Sequence, residues 1–171
     1  MVNILSINPD NHSSIQISME LNSNAFENNG TIPAKYTCDG NNISPELKIS
    51  GVPEKTKSLV LIMDDPDVPK ILKPDGVFDH WVLFNIPTGT TQIPEGGSIG
   101  TAGTNSRQQN AYTGPCPPKQ YEPSEHRYIF TLYAIDKELS LKAGADKTQV
   151  LAAMEGHIIA QAQLIGRYRR P

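Results

Sequence analysis

The stretch SLVLIMDD, residues 58–65, carries five consecutive apolar residues and ends in two aspartates. An apolar run of this length predicts a β-strand that is buried on both faces of its sheet. Two further stretches have the same character, HWVLFNIP at 80–87 and RYIFTLYAID at 127–136, and both are rich in residues that strands favour. Together the three predict the central strands of the fold.

The rest of the chain is organised mainly by turns. In SIQISMEL, residues 14–21, apolar and polar residues alternate, which predicts a half-buried strand. The 13 glycines and 14 prolines among 171 residues cluster with Asn and Asp in long stretches between the predicted strands. We therefore expect a single domain, residues 1–171, that is mainly β, with antiparallel sheets arranged as a sandwich.

A helical pattern is present only near the C-terminus. Asp146 can cap a helix there and Gln149 completes a capping box. Apolar residues recur at helical spacing and predict a face that packs on the sheet: Val150, Leu151, Met154 and Ile158. We expect Gly166 to end the helix and the final RYRRP to form an edge strand or a tail.

Composition and charge exclude several classes of function. A net charge of −3 provides no broad positive field, so we expect neither nucleic acid nor an anionic membrane surface as a partner. The N-terminus lacks the pattern of a secretory signal, and no apolar run is long enough to span a bilayer, so we expect a cytoplasmic protein without integral membrane association. Cys38 and Cys116 are either free thiols or one disulfide, and the sequence leaves both open.

Carboxylates gather at the end of the first central strand, in DDPDVP at 64–69. The carboxylates of Asp65 and Asp67 at the end of a buried strand need donors nearby, because burial otherwise raises the pKa of a carboxyl group. The competing interpretation is a solvated Asp-Pro turn, in which Pro69 only shapes the loop.

Two histidines lie at the starts of the other two strands. His80 precedes an apolar run, where a lone histidine is usually a structural residue of the core or of a turn. His126 and Tyr128 share the parity of one strand and therefore point to the same face, whereas Arg127 points to the other. This shared face suggests that the two act together.

Two catalytic alternatives use the same residues. An Asp with two His could form a metal site, but no HxH, HxxxH or CxxC spacing is present, so metal ranks below anion binding and we expect no metal or cofactor. Cys116 activated by His126 or His80 would make a hydrolase or transferase. Pro115 and Pro117 count against it, because they lack the N–H groups that an oxyanion hole commonly uses.

Four blocks together resemble a known family. DDPDVP, DHWVLFNIP, GPCPP and HRYIFTLYAID follow one another in this order after CDGNNISPEL at 38–47. In order and approximate spacing they are similar to the phosphatidylethanolamine-binding protein family, in its bacterial and archaeal branch related to Raf-kinase-inhibitor proteins. The resemblance covers the chain from about Gly30 to the C-terminus.

The resemblance implies a β-sandwich with a small anion-binding pocket that accepts phosphate, acetate or phosphorylated head groups. By position it assigns nine residues to this pocket: Asp65, Asp67, Pro69, His80, Gly114, Pro115, Cys116, His126 and Tyr128. It also implies a homodimer and a regulatory role, such as inhibition of a kinase or a serine protease. A structural dimer with a vestigial pocket is the remaining alternative, and the isomer of the Val68–Pro69 bond stays open.

The residues suggest how such a pocket would work. We expect Asp65 to accept a hydrogen bond from His80 and to favour its protonated ring, while His126 and the Tyr128 hydroxyl add donors. The prolines in GPCPP, residues 114–118, fix the backbone before a ligand arrives, so this loop is expected to form a preorganised wall.

Overall fold

A computed structural model describes residues 18–171, and among them are nine strands and one α-helix. The strands are β1 Glu20–Asn22, β2 Gly30–Thr31, β3 Leu47–Ser50, β4 Ser58–Asp65, β5 Phe78–Ile86, β6 Gln92–Ile93, β7 Thr101–Ala102, β8 Glu125–Ile135 and β9 Ile158–Arg169. The helix, α1, spans Lys147–Met154. The first half of the predicted strand at 14–21 lies outside the described residues, and β1 begins at Glu20.

The strands form two sheets. One has three strands in the order β1-β3-β6, and the other has six in the order β2-β9-β8-β4-β5-β7. The three predicted central strands are β4, β5 and β8, and β4 lies between the other two with antiparallel pairing on both sides. All pairings are antiparallel except the two-residue pairing of β2 with β9. The predicted mainly antiparallel two-sheet fold is thus confirmed.

The large sheet is covered on both faces, which explains its dense apolar runs. On one face, side chains such as Leu61 and Phe130 pack against the small sheet in the larger core cluster. On the other face, Val60 and Ile62 pack with residues of α1 in a second cluster. Alternate residues of β4 therefore enter different cores, and no position on the strand's apolar stretch is left for a polar side chain.

Helix α1 is shorter than its pattern predicted. The Asp146 capping box is present, and Val150 and Met154 are buried, as expected. The helix then ends at Met154, and Gly156 takes a positive φ of 75° that turns the chain into β9. The prediction that Leu151 and Ile158 lie on the packed face is wrong, because both side chains are exposed.

The C-terminal segment is a long inner strand rather than a tail. β9 pairs with β8 over its whole length, from Ile158 to Arg169. Gly166, predicted to stop a helix, lies inside this strand, where a Cβ atom would overlap the side chain of Ile32. Its glycine therefore permits close packing between β9 and the segment after β2.

Two further structural features bear on the sequence predictions. The cis peptide bond among residues 18–171 joins Glu122 and Pro123, so Val68–Pro69 is trans. Within the same residues there is no helix with both the length and the apolar character required to cross a bilayer.

Candidate functional site

A cavity of about 320 Å³ lies where β4 ends and where β5 and β8 begin. These three chain positions meet because β4 is antiparallel to both neighbours, so its last residues lie beside their first ones. Five of the nine residues predicted for the site line this cavity: Asp65, His80, Gly114, Cys116 and His126. The structure therefore brings both histidines and Asp65 together at one cavity.

His126 is paired with Asp65 at the base of the cavity. Its Nδ1 lies 2.6 Å from Oδ2 of Asp65, and both side chains are buried. Burial lowers the pKa of His126, but the hydrogen bond to Asp65 and the charges of Asp65 and Asp67 outweigh it, so the pKa is raised above its ordinary value. The nearby backbone carbonyl of Pro123 also favours the charged ring, although it does not form a hydrogen bond with Nε2 of His126. Nε2 of His126 is buried and has no hydrogen-bond partner within residues 18–171.

His80 has a different partner from the one predicted. Its Nδ1 lies 2.7 Å from the backbone carbonyl oxygen of Thr113, and Asp65 is bonded to His126 instead. A carbonyl only accepts, so the proton of the neutral ring lies on Nδ1. Burial lowers the pKa of His80 to about 4, and the Thr113 bond and the Asp65 charge offset this only in part. The expectation that Asp65 accepts a hydrogen bond from His80 and keeps it protonated is thus wrong, because Asp65 is hydrogen-bonded to His126.

Tyr128 packs behind the two histidines rather than on the cavity surface. Its ring lies edge-on to His80, with ring centroids 5.2 Å apart, and is stacked with that of His126 at 6.5 Å. The side chain is fully buried, and its hydroxyl has no hydrogen-bond partner in the described part of the chain. Burial raises the pKa of the phenol, which therefore stays neutral. The shared parity of His126 and Tyr128 gives them one face of β8, as predicted.

Asp67 is held by an ion pair outside the cavity lining. Its carboxylate accepts hydrogen bonds from the guanidinium of Arg127 at 2.7 and 2.9 Å and from the Arg127 backbone N–H at 2.9 Å. The Asp65 carboxylate in turn accepts from the Asp67 backbone N–H at 2.8 Å. Asp67 and Arg127 therefore form a clamp, a hydrogen-bonded ion pair that joins the loop after β4 to the start of β8. Pro69 also lies in this loop and does not line the cavity.

The GPCPP loop forms one wall. The N–H of Gly114 donates to Oδ1 of Asn42 at 2.7 Å, and a Cβ atom at Gly114 would overlap the carbonyl oxygen of Tyr36. The carbonyl oxygen of Pro115 accepts from the Cys38 N–H at 3.0 Å. These contacts tie the wall to the segment that follows β2.

The same wall is fastened covalently. Cys38 and Cys116 form a disulfide whose Cα atoms are 5.4 Å apart and which spans 78 residues of sequence. Cys116 therefore carries no free thiol in this structure. The alternative in which Cys116 is a nucleophile activated by His126 or His80 is thus wrong for this structure. Sequence reasoning left the disulfide open because spacing alone does not determine spatial separation.

The rim of the cavity was not predicted from the sequence. It includes the apolar side chains of Val68 and Leu72, the cations Lys73 and Arg107, and the hydroxyl of Ser106. Lys73 is paired with Asp75 at 2.6 Å. Val68 lies within the DDPDVP block, but nothing in one sequence marks it or the other four residues as part of a cavity. Among residues 18–171, no three His, Cys, Asp or Glu side chains are grouped so as to hold a metal ion.

The fold and the cavity define a class of protein: a two-sheet β-protein in which the ends of the central strands enclose two buried histidines with different partners. The family model for phosphatidylethanolamine-binding protein matches residues 22–169. The chain therefore belongs to the phosphatidylethanolamine-binding protein family, as the resemblance predicted.

Individual relatives agree with this assignment. A UPF0098 protein from Methanothermobacter thermautotrophicus is 48% identical over 159 residues, covering 89% of this chain and 99% of the relative. Among solved structures, a phosphatidylethanolamine-binding protein homologue from Chlamydia trachomatis has a TM-score of 0.86 at 44% identity, covering 91% of this chain and 99% of that one. YbcL of E. coli has a TM-score of 0.80 at 26% identity, covering 90% and 99%.

Proposed function

We propose that this chain is a binding module for a small anion or a phosphorylated group, which it holds in the cavity between His80 and His126. The observation that carries the proposal is that both imidazoles line the cavity, are buried, and use only Nδ1 in bonds to protein. Buried polar atoms are normally hydrogen-bonded, so the unpaired Nε2 of His126 favours a ligand that supplies the missing partner. The name of the family supports a phosphate-bearing head group as one such ligand.

The surroundings of the cavity support the same ligand class. The exposed guanidinium of Arg107 on the rim adds positive charge, and Val68 and Leu72 provide apolar surface beside it. A phosphorylated group attached to an apolar or neutral body would match both features. Charge-assisted hydrogen bonds contribute about 1.5–3 kcal/mol each, so two or three of them predict dissociation constants from about millimolar to micromolar.

A calorimetric titration tests the binding proposal. Phosphate or phosphoethanolamine should release or absorb heat with the native protein, and His80→Ala and His126→Ala should each abolish the signal. His157→Ala is a matched control, because His157 is a half-exposed histidine paired with Asp136 and does not line the cavity. Absence of heat with the native protein, or equal heat with all three variants, would refute the site.

The regulatory role is the second part of the proposal: the cavity would hold a phosphorylated or carboxylate group on a kinase or a serine protease and inhibit that enzyme. The disulfide at Cys116 supports binding over turnover, since it leaves this wall without a thiol nucleophile. Inhibition assays on serine proteases should show loss of inhibition in His80→Ala but not in His157→Ala. We also propose a homodimer, which sedimentation should reveal as twice the mass of one chain.

A further inference from the structure

We propose that the cavity selects an oxyanion that carries one proton, such as a singly protonated phosphomonoester, over an equally charged oxyanion that carries none. The proposal rests on the proposed anion-binding function and adds to it the protonation state of the ligand. It follows from the different partners of the two histidines, which give the cavity one ring nitrogen that accepts and one that donates.

The accepting nitrogen belongs to His80. Because the Thr113 carbonyl 2.7 Å away can only accept, Nδ1 of His80 must carry a proton. Nε2 then carries a lone pair as long as the ring is neutral, and burial of the side chain to 4% exposure favours the neutral ring. A neutral imidazole with Nδ1–H offers a ligand only an acceptor.

The groups around His80 are compatible with a neutral ring that carries its proton on Nδ1. The Asp65 carboxylate, at the end of β4, favours a proton on His80, but it is bonded to His126. Asp79 acts in the same direction, and Arg107, on the rim, acts in the opposite one. On the remaining sides the ring contacts Phe78 and Tyr128, which are uncharged. Desolvation therefore outweighs the charges, and the pKa of His80 is lowered to about 4.

The donating nitrogen belongs to His126. Its Nδ1 donates to the Asp65 carboxylate at 2.6 Å, and Asp67 adds a second negative charge nearby. Both charges favour the imidazolium, in which Nε2 also carries a proton. This Nε2 is buried without a partner within residues 18–171, so it calls for an acceptor on the ligand.

A ligand that satisfies both nitrogens needs an oxyanion oxygen and an O–H on one small group. A phosphomonoester has this form below its second pKa of about 6 and keeps a fraction of it above. Sulfate esters and carboxylates at neutral pH carry acceptors only, so they would place a lone pair against the lone pair of His80 Nε2. Leaving a buried polar atom unpaired in this way weakens binding by roughly fivefold to 150-fold.

Methyl phosphate and methyl sulfate provide the test. The methyl phosphate monoanion and methyl sulfate have the same charge and a similar shape, but only the phosphate carries a proton on an oxygen. At pH 6 we expect calorimetry to show that the native protein binds methyl phosphate at least about fivefold more tightly than methyl sulfate. As pH rises to 8, this ratio should fall as the phosphate loses its proton. His80→Gln, whose amide can donate as well as accept, should reduce the preference, and His157→Ala should keep it.

A second measurement does not depend on any variant. Nitrogen NMR of labelled imidazoles should show His80 as the neutral tautomer protonated on Nδ1, and His126 protonated on both nitrogens, in the native protein at pH 6. Equal affinities for the two esters, an unchanged preference in His80→Gln, or a doubly protonated His80 would each overturn the inference. Equal binding would leave the proposed function standing, whereas no binding of either ester would overturn both.

Discussion

The imidazole of His126 donates from Nδ1 to the carboxylate of Asp65 across 2.6 Å, and the two side chains are almost fully withdrawn from solvent. The pair links the start of β8 to the end of β4. Its position at the base of the cavity means that the same contact serves both the fold and the site. The predictions that follow separate these two contributions.

Asp65→Asn should destabilise the protein strongly at mildly acidic pH. Breaking a buried ion pair typically costs about 3–5 kcal/mol, because one charge remains buried without its partner. The pKa of His126 is raised in the folded state, so its contribution is full below the ordinary histidine pKa and is lost as pH rises through the raised value. Urea unfolding from pH 5 to pH 9 should therefore show a smaller effect of the variant at the alkaline end.

Asp136→Asn is the matched control for Asp65→Asn. Asp136 and His157 form the same kind of pair at 2.7 Å, but both side chains are exposed by more than a third. Exposed pairs contribute about 0–1 kcal/mol, so this variant should unfold almost as the native protein does. Equal losses in the two variants would contradict the assignment of a buried ion pair to Asp65.

His80 should have the opposite dependence on pH. Its pKa is lowered from 6.5 to about 4, so the unfolded chain takes up a proton at a higher pH than the folded one. The contribution of His80 to the free energy of unfolding should fall as pH drops from 6.5 to 4 and stay level below pH 4. Since each pKa unit corresponds to about 1.36 kcal/mol, the total loss should be about 3 kcal/mol. His80→Gln should remove this component, which is measured as the difference between the two unfolding curves. A difference that stays constant from pH 7 to pH 4 would contradict it.

Replacing both Cys38 and Cys116 by Ser should lower the free energy of unfolding by about 2–4 kcal/mol, because the disulfide restricts the unfolded chain over 78 residues. The double variant should also bind anions more weakly, since Cys116 lines the cavity and its wall would lose preorganisation. Denaturant unfolding and calorimetry measure the two effects. A reducing agent should reproduce both in the native protein and leave the double variant unchanged, and any further change in that variant would contradict this account.

Asp67 should support the site rather than bind the ligand. Arg127→Ala removes the partner of Asp67 from an ion pair in which the arginine side chain is 45% exposed, so stability should fall by no more than about 1 kcal/mol. Anion affinity should change less than twofold in this variant, measured by calorimetry beside His126→Ala. A tenfold loss in Arg127→Ala would show that the clamp formed by Asp67 and Arg127 controls the cavity directly.

The sequence by itself determined the frame of this protein. The apolar runs of β4, β5 and β8 can be buried on both faces only at the centre of a covered sheet, so their type and central position follow from composition. Parity along β8 likewise fixed that His126 and Tyr128 share a face. The capping box at Asp146 marked the start of α1, although the end of the helix depended on the turn at Gly156 and on strand pairing farther along the chain.

Only the tertiary structure decided which groups are partners. From the sequence alone, Asp65 could pair with either histidine. The relative positions of β4, β5 and β8 determine that its hydrogen-bond partner is His126. His80 turns instead to the carbonyl of Thr113, a backbone atom that leaves no signal in a side-chain pattern. The disulfide is of the same kind, since 78 residues of separation say nothing about distance. Strand type depends on local periodicity, whereas hydrogen-bond partners depend on ångström distances between remote segments, and these arise only when the chain packs.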